Sequence, residues 1–596
     1  MDAVLLGYQA RIVALYASAS QLRLGQMIAL AIMSLAIVAI FVIAFFSLTR
    51  HAIPLPCSLL PLPFAAYSGR VARQRNSALL KSRRLESYYK QGIARLEGRW
   101  TGSGIHGEEF ARSGHCYDKD LHLFGEGSLF ELLCTCRTEV GRRQLANYLL
   151  DAPNLQDVLE RQAAVQELRS RIDLREQTHL LGDFSFQESR WNTIADWVKS
   201  PIVRSSSSLR ILALGTSVCL TLLLLLGSAS VLPWSGLAPW IGGLLLIHGA
   251  LGLLYRKGLL ASLQAILAVG SEIGLLHQGL SLLQSQKFNS GLLTRLAESS
   301  KGCNSPAVLR KLERLIGALN ERDKEWFYAI SRGLLVGTQL FWAIERWRLQ
   351  YAESLLGWLS AWGEFETLMA LACYAYEHPE NAFPQLLEGE AALEGKGIGH
   401  PLLPVNGCVR NDISLNGQTR FYVISGSNMA GKSTLIRAIG LNAVLAYTGA
   451  PVCAETMALS LFSICASLSI QDSLLNGKSK FLAEVDRLKQ AINLTSNQNS
   501  VLFLIDEILS GTNSRDRRIA AEAIIKTLIE QGAIGVLSTH DLALTELATS
   551  TGLHGANVHM GSKNKSDPMD FDYLIKAGVT NESSALAIAR LAGVCV

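Results

Sequence analysis

The sequence predicts an α/β domain at the C-terminal end, an all-α region before it, and two transmembrane helical hairpins within that helical part. Three observations lead to this prediction. Residues 426–434 form a glycine loop between a β-rich apolar run and a helical pattern. Residues 501–505 form a second apolar run, which is followed by two carboxylates. Residues 27–48 and 211–232 are long apolar runs that carry no charge.

Composition limits the classes of protein that the chain can belong to. It has 596 residues, which leaves room for several domains of about 100–200 residues each. Its hydrophobic content of 49% and mean hydropathy of +0.23 are high for a water-soluble protein. The net charge of +5 argues against a strongly basic nucleic-acid-binding protein, although a local basic patch stays open. Eleven cysteines without a C-x-x-C pair favour a reduced, cytosolic compartment.

Residues 1–90 are predicted to form the first membrane hairpin. The run at 27–48 can cross a bilayer, which takes about 20 residues, whereas the apolar core of a cleaved signal peptide has about 7–15. A second span is expected at about 52–68, where four prolines would be tolerated in a membrane. Basic residues on both sides predict that both ends face the cytoplasm. These residues are Arg11, Arg23, Arg70, Arg73, Arg75, Lys81, Arg83 and Arg84.

Residues 201–257 are predicted to form the second hairpin, with spans at about 211–232 and 238–255. Trp234 and Trp240 between the spans are typical of the aromatic belt at a membrane interface. Arginines and a lysine flank the pair, so both ends are again expected inside. A buried hairpin in the core of a water-soluble protein remains the alternative.

Two further regions carry apolar residues at helical spacing with charges between them, at 91–200 and 258–395. This pattern predicts a helical scaffold on both sides of the second hairpin.

Residues 396–596 are predicted to hold a phosphate-binding site. The spacing G-x-x-x-x-G-K-S from Gly426 to Ser433 places backbone N–H groups and a helix N-terminus where phosphates would bind. Lys432 would add a full positive charge, and the Ser433 hydroxyl would be a ligand of Mg²⁺. The predicted nucleotide-binding residues of the loop are Gly426, Ser427, Asn428, Met429, Ala430, Gly431, Lys432, Ser433 and Thr434.

Polar residues that follow later strands complete the predicted site. Asp506 would hold Mg²⁺ through water, and Glu507 would polarise the attacking water. His540 follows a third strand at 535–539 and is predicted to sense the γ-phosphate. Ser479 lies in a polar, glycine-bearing segment that could be a helix cap or could present donors to a phosphate.

Several stretches together resemble one family, the MutS DNA mismatch-repair ATPases, which are relatives of the ABC ATPases. The resemblance is strong over about the last third of the chain and weaker at 118–175 and 358–372. The stretches that carry it are Gly399–Leu403, Asn411–Asp412, 426–434, 472–484, Ile505–Ile508, Ser510–Thr512, Ser538–Asp541, Asn557–Met560 and Ala587–Gly593.

The resemblance implies an α/β C-terminal ABC-type P-loop ATPase domain plus an all-α core and lever domain, with ATP and Mg²⁺ as cofactors. It implies a homodimer through the ATPase domains, in which Ser479 reaches the γ-phosphate bound by the partner. Asn411 and His559 would border the adenine. Cys408 stands where the family often has an aromatic residue, three positions before Asn411.

The departures from the family shape the functional prediction. Members that read mismatches insert an aromatic residue from a Phe-x-Glu wedge into the duplex, and this chain has no convincing counterpart of it. The preferred hypothesis is a multi-pass, membrane-anchored MutS-like ATPase at the cell membrane, without the mismatch-recognition domain and with its ATPase domain in the cytoplasm. DNA binding is expected only from the resemblance to this family, and the residues themselves give it weak support. The alternatives are an ATPase component of a membrane transport or remodelling complex without a role on DNA, and a non-catalytic membrane scaffold.

Overall fold

The computed structural model describes residues 2–50, 54–182, 191–200, 207–321, 331, 333–427, 429–468, 480–496, 500–550, 552–564 and 567–579. The chain divides into two compact units. The first comprises Met1–Thr135, Leu145–Leu180 and Leu368–Val596, and the second comprises Cys136–Gln144 and Leu181–Thr367. The first unit therefore contains the predicted first hairpin and the predicted nucleotide-binding region, and the second contains the predicted second hairpin. The finer domain boundaries stay predictions.

The part of the chain before residue 378 is helical. Its described α-helices are α1 (Asp2–Arg50), α2 (Leu62–Leu96), α3 (Leu129–Leu133), α4 (Glu139–Leu150), α5 (Leu155–Arg169), α6 (Ile172–Leu180), α7 (Trp191–Lys199), α8 (Ser207–Ser228), α9 (Trp234–Ser285), α10 (Gly291–Lys301), α11 (Ser305–Glu321) and α12 (Val336–Glu377). Short 3-10 turns lie at Leu55–Leu59, Glu108–Phe110 and Gly302–Asn304.

The part after residue 378 combines strands and helices. The described strands are β1 (Gln385–Leu387), β2 (Leu393–Ile398), β3 (Asn411–Leu415), β4 (Phe421–Ser425), β5 (Thr456–Ser460), β6 (Ser463–Ser467), β7 (Val501–Ile505), β8 (Ile534–Thr539), β9 (Gly555–His559), β10 (Ser562–Asn564), β11 (Asp567–Phe571) and β12 (Lys576–Ala577). The helices are α13 (Lys432–Thr448), α14 (Lys480–Ser496) and α15 (Ser514–Glu530), with 3-10 turns at Val405–Gly407 and Leu542–Thr549.

A six-stranded sheet in the order β12-β9-β4-β8-β7-β6 forms the centre of this part. The strands from β9 to β6 are parallel, and every residue of β7 and β8 is buried. Their unbroken apolar sequences follow from this burial, because elements pack on the sheet faces. In a parallel sheet the carboxyl ends of the strands share one edge, so the loops after β4, β7 and β8 meet. A four-stranded sheet, β1-β5-β2-β3, lies in the same unit.

Helices α1 and α2 form an antiparallel pair. The Tyr16 hydroxyl donates to Glu86 at 2.6 Å, and the Gln26 amide donates to Asn76 at 3.3 Å. Helix α1 is a single helix of 49 residues, much longer than the predicted span at 27–48, because the helical pattern continues to its N-terminal end without a proline. The predicted span thus extends into a two-helix stalk.

The base of this stalk is joined to the C-terminal end of α12 by buried polar contacts. The Arg95 guanidinium donates to both oxygens of Glu377, at 2.7 and 2.6 Å. The Tyr8 hydroxyl also donates to Glu377, at 3.3 Å, and Tyr88 lies 3.5 Å from the Cys373 sulfur. We call these five residues the stalk joint. It links the helix that leads into the strand-bearing region to the two helices of the stalk.

Three described helical segments are long and apolar enough to cross a membrane by length and composition: Asp2–Thr49, Ser208–Ser228 and Trp234–Leu251. Large apolar side chains along them are exposed, including Phe41, Leu225 and Leu246. The segment predicted as a span at 52–68 is described from residue 54 onward. There it forms a 3-10 turn and the start of α2, because prolines begin both pieces. It is not among the three segments, and its membrane crossing stays a prediction.

Helix α9 contains both a predicted span and part of the region predicted as scaffold, in one helix of 52 residues. Its His248 lies 2.7 Å from the carbonyl oxygen of Gly333 and 2.9 Å from the Thr216 hydroxyl of α8. The Ser217 hydroxyl donates to the carbonyl of Leu334 at 2.9 Å. Backbone groups just before α12 are therefore satisfied by side chains from α8 and α9.

Candidate active site

The phosphate loop lies between β4 and α13, as its sequence predicts. Gly426 has a φ of 142°, and a Cβ atom there would lie 2.3 Å from the Met560 carbonyl oxygen, so a larger residue does not fit. Gly431 has a φ of 92° and directly precedes α13. The two glycines therefore set the course of the loop and leave a cradle in front of the helix N-terminus.

The Lys432 side chain is folded back into the loop. Its ammonium group donates to the carbonyl oxygens of Gly426 at 2.7 Å and Ser427 at 2.8 Å, and the residue is only 2% exposed. Burial lowers the pKa of Lys432, while the carboxylates of Asp506 and Glu507 act in the opposite direction. A positive charge is thus held inside the cradle.

The loop also contains a polar atom that suits a phosphate ligand. Among the described residues, the Ser427 hydroxyl oxygen is buried and has no hydrogen-bond partner. Buried polar atoms usually have a partner, so an unpaired hydroxyl beside a buried ammonium fits an anionic ligand. The cradle, the ammonium and this hydroxyl together fit a nucleotide phosphate group.

Ser433 and Asp506, the two predicted ligands of Mg²⁺, are in contact. The Ser433 hydroxyl donates to one oxygen of the Asp506 carboxylate at 2.5 Å. The Ser538 hydroxyl at the end of β8 donates to the other oxygen, a contact that the sequence-based prediction missed. Hydroxyl and carboxylate oxygens suit Mg²⁺, which keeps several waters and takes few protein ligands. No group of three or more His, Cys, Asp or Glu side chains that could hold a metal occurs in the described part of the chain.

Glu507 and His540 face each other at the same edge of the sheet. The His540 Nδ1 atom lies 3.5 Å from a Glu507 carboxylate oxygen, and their side chains are 51% and 29% exposed. Glu507 has a φ of 53°, which is rare for a residue with a side chain, and its N–H donates to the Ser538 carbonyl at 3.2 Å. Strained backbone of this kind is common at functional sites, and here it carries the predicted base.

A cavity of about 280 Å³ opens beside the phosphate loop. Asn411 forms part of its wall and binds the segment after β11. Its amide donates to the Tyr573 carbonyl at 3.1 Å, and its oxygen accepts from the Ile575 N–H at 2.8 Å. The lining residues are Ile398, His400, Leu403, Gly407, Val409, Asn411, Met429, Gly431, Ser433, Thr434, Leu435, Ala438, Met560 and Tyr573.

Two residues that the sequence singled out for the adenine side are not among those lining residues. His559 lies 3.2 Å from the Gly578 carbonyl, and its neighbour Met560 lines the cavity instead. Cys408 lies between the lining residues Gly407 and Val409 without lining the cavity itself. The assignment of His559 to the adenine stays a prediction.

The C-terminal part of the chain matches a known family. Residues 422–596 match the family model described as MutS domain V. The chain is 36% identical over 200 residues to the DNA mismatch repair protein MutS of Lactobacillus delbrueckii subsp. bulgaricus, covering 33% of this chain and 23% of the relative. It is 33% identical over 231 residues to that of Thermotoga maritima (38% and 28%), and 30% identical over 291 residues to that of Lactococcus lactis subsp. cremoris (48% and 33%).

The C-terminal part of the chain belongs to the MutS family. This confirms the resemblance found in the sequence. The chain covers between 23% and 33% of the length of these three MutS relatives. The family model begins at residue 422, within β4, so the cavity wall from Ile398 to Asn411 precedes the matched MutS domain V.

Some predicted MutS site residues lie outside the described residues. Asn428 of the phosphate loop, Ser479 and the segment Ala587–Gly593 belong to this group. The role of Ser479 at a partner's phosphate therefore stays a prediction. Tyr573 and Met560 line the cavity without having been assigned to it from the sequence, because only the fold brings the segments after β9 and β11 beside the loop.

Proposed function

We propose that this protein is a membrane-anchored ATPase that couples binding and hydrolysis of ATP to closure of a homodimer through its ATPase domains. The observation that supports catalysis is the convergence of Lys432, Ser433, Asp506, Glu507 and His540 at the carboxyl edge of one parallel sheet. Phosphoryl transfer depends mainly on positioning and on charge stabilisation, and these residues supply both.

Each residue has a role that follows from its place. Lys432 would exchange its two carbonyl acceptors for phosphate oxygens when ATP enters the cradle. Ser433 and Asp506 would hold Mg²⁺, which neutralises charge on the phosphates when bound. Glu507 would accept a proton from the attacking water, and His540 would contact the γ-phosphate from the same edge.

Substitution of Glu507 tests the catalytic proposal. We expect Glu507→Gln to lower the rate of ATP hydrolysis at least about 100-fold, because the amide cannot act as a base, while ATP stays bound. The measurements are phosphate release and retention of labelled ATP on the purified full chain with Mg²⁺. Glu522→Gln, an exposed carboxylate on α15, is the matched control and should hydrolyse ATP normally. Unchanged hydrolysis in Glu507→Gln would remove Glu507 from this role.

Membrane anchoring is proposed from the exposed apolar segments. Residues 27–48 of α1 extend about 33 Å at 1.5 Å per residue, close to the thickness of a bilayer core of about 30 Å. Exposed Arg70 and Arg73 lie on α2 beyond the apolar part of the hairpin, as expected for a cytoplasmic boundary. We therefore assign the ATPase domain to the cytoplasmic side of a cell membrane.

Alkaline carbonate extraction of membranes from expressing cells tests the anchor. We expect the protein to stay in the membrane pellet and to be released by detergent. If it enters the soluble fraction, the apolar hairpins are covered by protein and the anchor is refuted. The ATPase proposal does not depend on that outcome.

DNA binding is a second candidate activity, favoured because the relatives are named DNA mismatch repair protein MutS. Titration of the purified protein with a matched and a mismatched duplex at several salt concentrations tests it. Tighter binding to the mismatch supports a repair protein. If the protein binds neither duplex, the result supports the alternative, an ATPase component of a membrane transport or remodelling complex without a role on DNA.

A further inference from the structure

Two cysteine side chains meet behind the wall of the cavity. A Cβ atom at Gly399 would lie 2.7 Å from the Cys408 sulfur and 3.0 Å from the Cys453 sulfur, so both sulfurs occupy the space that a side chain at Gly399 would fill. The two sulfurs therefore lie close together, on either side of one point. We propose that Cys408 and Cys453 form a redox-active dithiol that hydrogen peroxide converts to a disulfide, which slows the release of nucleotide from the neighbouring cavity.

The backbone between β2 and β3 holds both cysteines in place. The Gly399 N–H donates to the Cys453 carbonyl at 2.8 Å, and the His400 N–H donates to the Cys408 sulfur at 3.1 Å. The pair therefore forms within a hydrogen-bonded segment, and bond formation does not require a distant loop to move. Both residues are only partly buried, so a small oxidant can reach them.

The surroundings of the pair distinguish an attacking thiol from a resolving thiol. The neighbouring Cys453 thiol, together with the hydrogen bond from the His400 N–H and the charge of Arg410, lowers the pKa of Cys408 to about 6 against the effect of burial. The neighbouring Cys408 thiol and burial raise the pKa of Cys453. These opposite shifts assign the attacking role to Cys408 and the resolving role to Cys453, since a lower thiol pKa favours attack on peroxide.

The reaction runs in two steps. The Cys408 thiolate attacks one oxygen of hydrogen peroxide, an S–O bond forms as the O–O bond breaks, and the departing hydroxide takes up a proton to become water. The Cys453 thiol then attacks the sulfur of the resulting sulfenic acid, and its proton leaves with the hydroxyl group as a second water. The two sulfurs supply two electrons, peroxide is reduced to two waters, and a dithiol reductant reverses the bond.

The effect on nucleotide follows from the position of Cys408 and rests on the proposed nucleotide-binding function. Its neighbours Gly407 and Val409 line the cavity, while its own sulfur is directed towards Cys453. A disulfide would fasten this part of the wall to the segment before β5. Because a fixed wall opens less often, we expect nucleotide to leave more slowly from the oxidised protein.

Peptide mapping of the purified full chain after treatment with hydrogen peroxide tests the bond. We expect a linked peptide that contains Cys408 and Cys453, and in Cys453→Ser a Cys408 sulfenic acid that dimedone traps. Cys116 packs against the core cluster that contains Cys465, so Cys116→Ser is the matched control and should leave the 408–453 link intact. Absence of that link, while the exposed Cys219 is oxidised, would overturn the proposal.

Release of a fluorescent ATP analogue then tests the consequence. We expect release from the oxidised protein to be about threefold slower, restored by dithiothreitol and unaffected by peroxide in Cys453→Ser. Equal rates in both redox states would overturn the effect on the cavity. If neither the oxidised nor the reduced protein binds the analogue, the proposed nucleotide binding fails. The Cys408–Cys453 disulfide is tested separately, by the peptide mapping.

Discussion

At the scale of single residues, the site depends on a few groups that the fold holds in unusual positions. Lys432 is buried with its ammonium on two carbonyl oxygens, Ser427 has a buried hydroxyl without a partner in the described part, and Glu507 has a left-handed backbone. Each of these arrangements has a higher free energy than the residue's ordinary conformation or environment. Together they indicate that the cradle is shaped for a ligand, and each can be tested by a substitution.

Lys432→Ala should weaken the binding of ATP at least about 100-fold, because it removes the full positive charge inside the cradle. Isothermal titration with ATP and Mg²⁺ measures the loss. Lys489→Ala on the exposed surface of α14 removes the same charge elsewhere and should bind ATP as the unmodified chain does. Equal losses in both variants would mean that only overall charge matters.

Gly426→Ala should also impair ATP binding, because its Cβ would meet the Met560 carbonyl at 2.3 Å in a backbone conformation that alanine disfavours. The control is Gly357→Ala within α12, where a Cβ meets nothing within 4 Å. We expect that control to be neutral or to stabilise the helix by about 0.5–1 kcal/mol. Thermal unfolding and ATP titration of both variants decide the matter, and full ATP affinity in Gly426→Ala would contradict the prediction.

At the scale of elements, the stalk joint connects the N-terminal helix pair to the end of α12. Glu377 receives both Arg95 and Tyr8, and side chains of the joint are almost fully buried. Removing one partner of a buried ion pair is costly, because the other charge stays buried without compensation. The joint is thus a place where the stalk and the region of the nucleotide site depend on each other.

Glu377→Gln should lower the free energy of unfolding by about 3–5 kcal/mol. Glu530→Gln, which affects an exposed i,i+4 pair with Lys526 on α15, should cost less than about 1 kcal/mol. Denaturant unfolding in detergent measures both values. Similar values for the two variants would show that the joint does not stabilise the first unit.

The same joint predicts a dependence on pH. Burial raises the pKa of Glu377, but the charge and hydrogen bonds of Arg95 outweigh it, so the pKa of Glu377 lies below its ordinary value. A lowered pKa contributes stability that is complete above the ordinary glutamate value of about 4.3 and is lost as the pH falls through the folded value. Unfolding at pH 7 and at successively lower pH should show this loss in the unmodified chain and a smaller one in Glu377→Gln.

The sequence predicted the parts of the fold and site that depend on local patterns. The phosphate loop, the strand before Asp506 and the contact partners Ser433 and Asp506 follow from spacing and from the shared edge of a parallel sheet. Ser538, Met560 and Tyr573 were missed because their roles arise only when distant strands come into register. The stalk joint was missed for the same reason, since Tyr8 and Glu377 are 369 residues apart.

At the scale of the whole molecule, each compact unit carries at least one exposed apolar helical segment. Soluble proteins rarely leave such large apolar surfaces uncovered. Under the proposed membrane anchoring both units would contact the bilayer, whereas the MutS domain V match is confined to residues 422–596.

Cysteine labelling tests this assignment in intact membranes. Cys219 is exposed in α8 and should resist a membrane-impermeant maleimide in vesicles, because lipid covers it, but should react once detergent is added. Inverted vesicles expose the cytoplasmic side of the membrane to the reagent. A cysteine introduced by Lys489→Cys on the surface of α14 should therefore react both without and with detergent. Labelling of Cys219 without detergent would place α8 in water.

Helix α9 runs for 52 residues, which is about 78 Å at 1.5 Å per residue, and the apolar part at its beginning continues into the remainder without a break. A helix of this kind hardly changes its length. If the bilayer around its first turns were thinner or thicker, the helix would tilt to match it. Because the helix is rigid, that tilt would displace its distal turns sideways. Under the proposed anchoring, lipid thickness would then change the position of the helical scaffold that continues from this span.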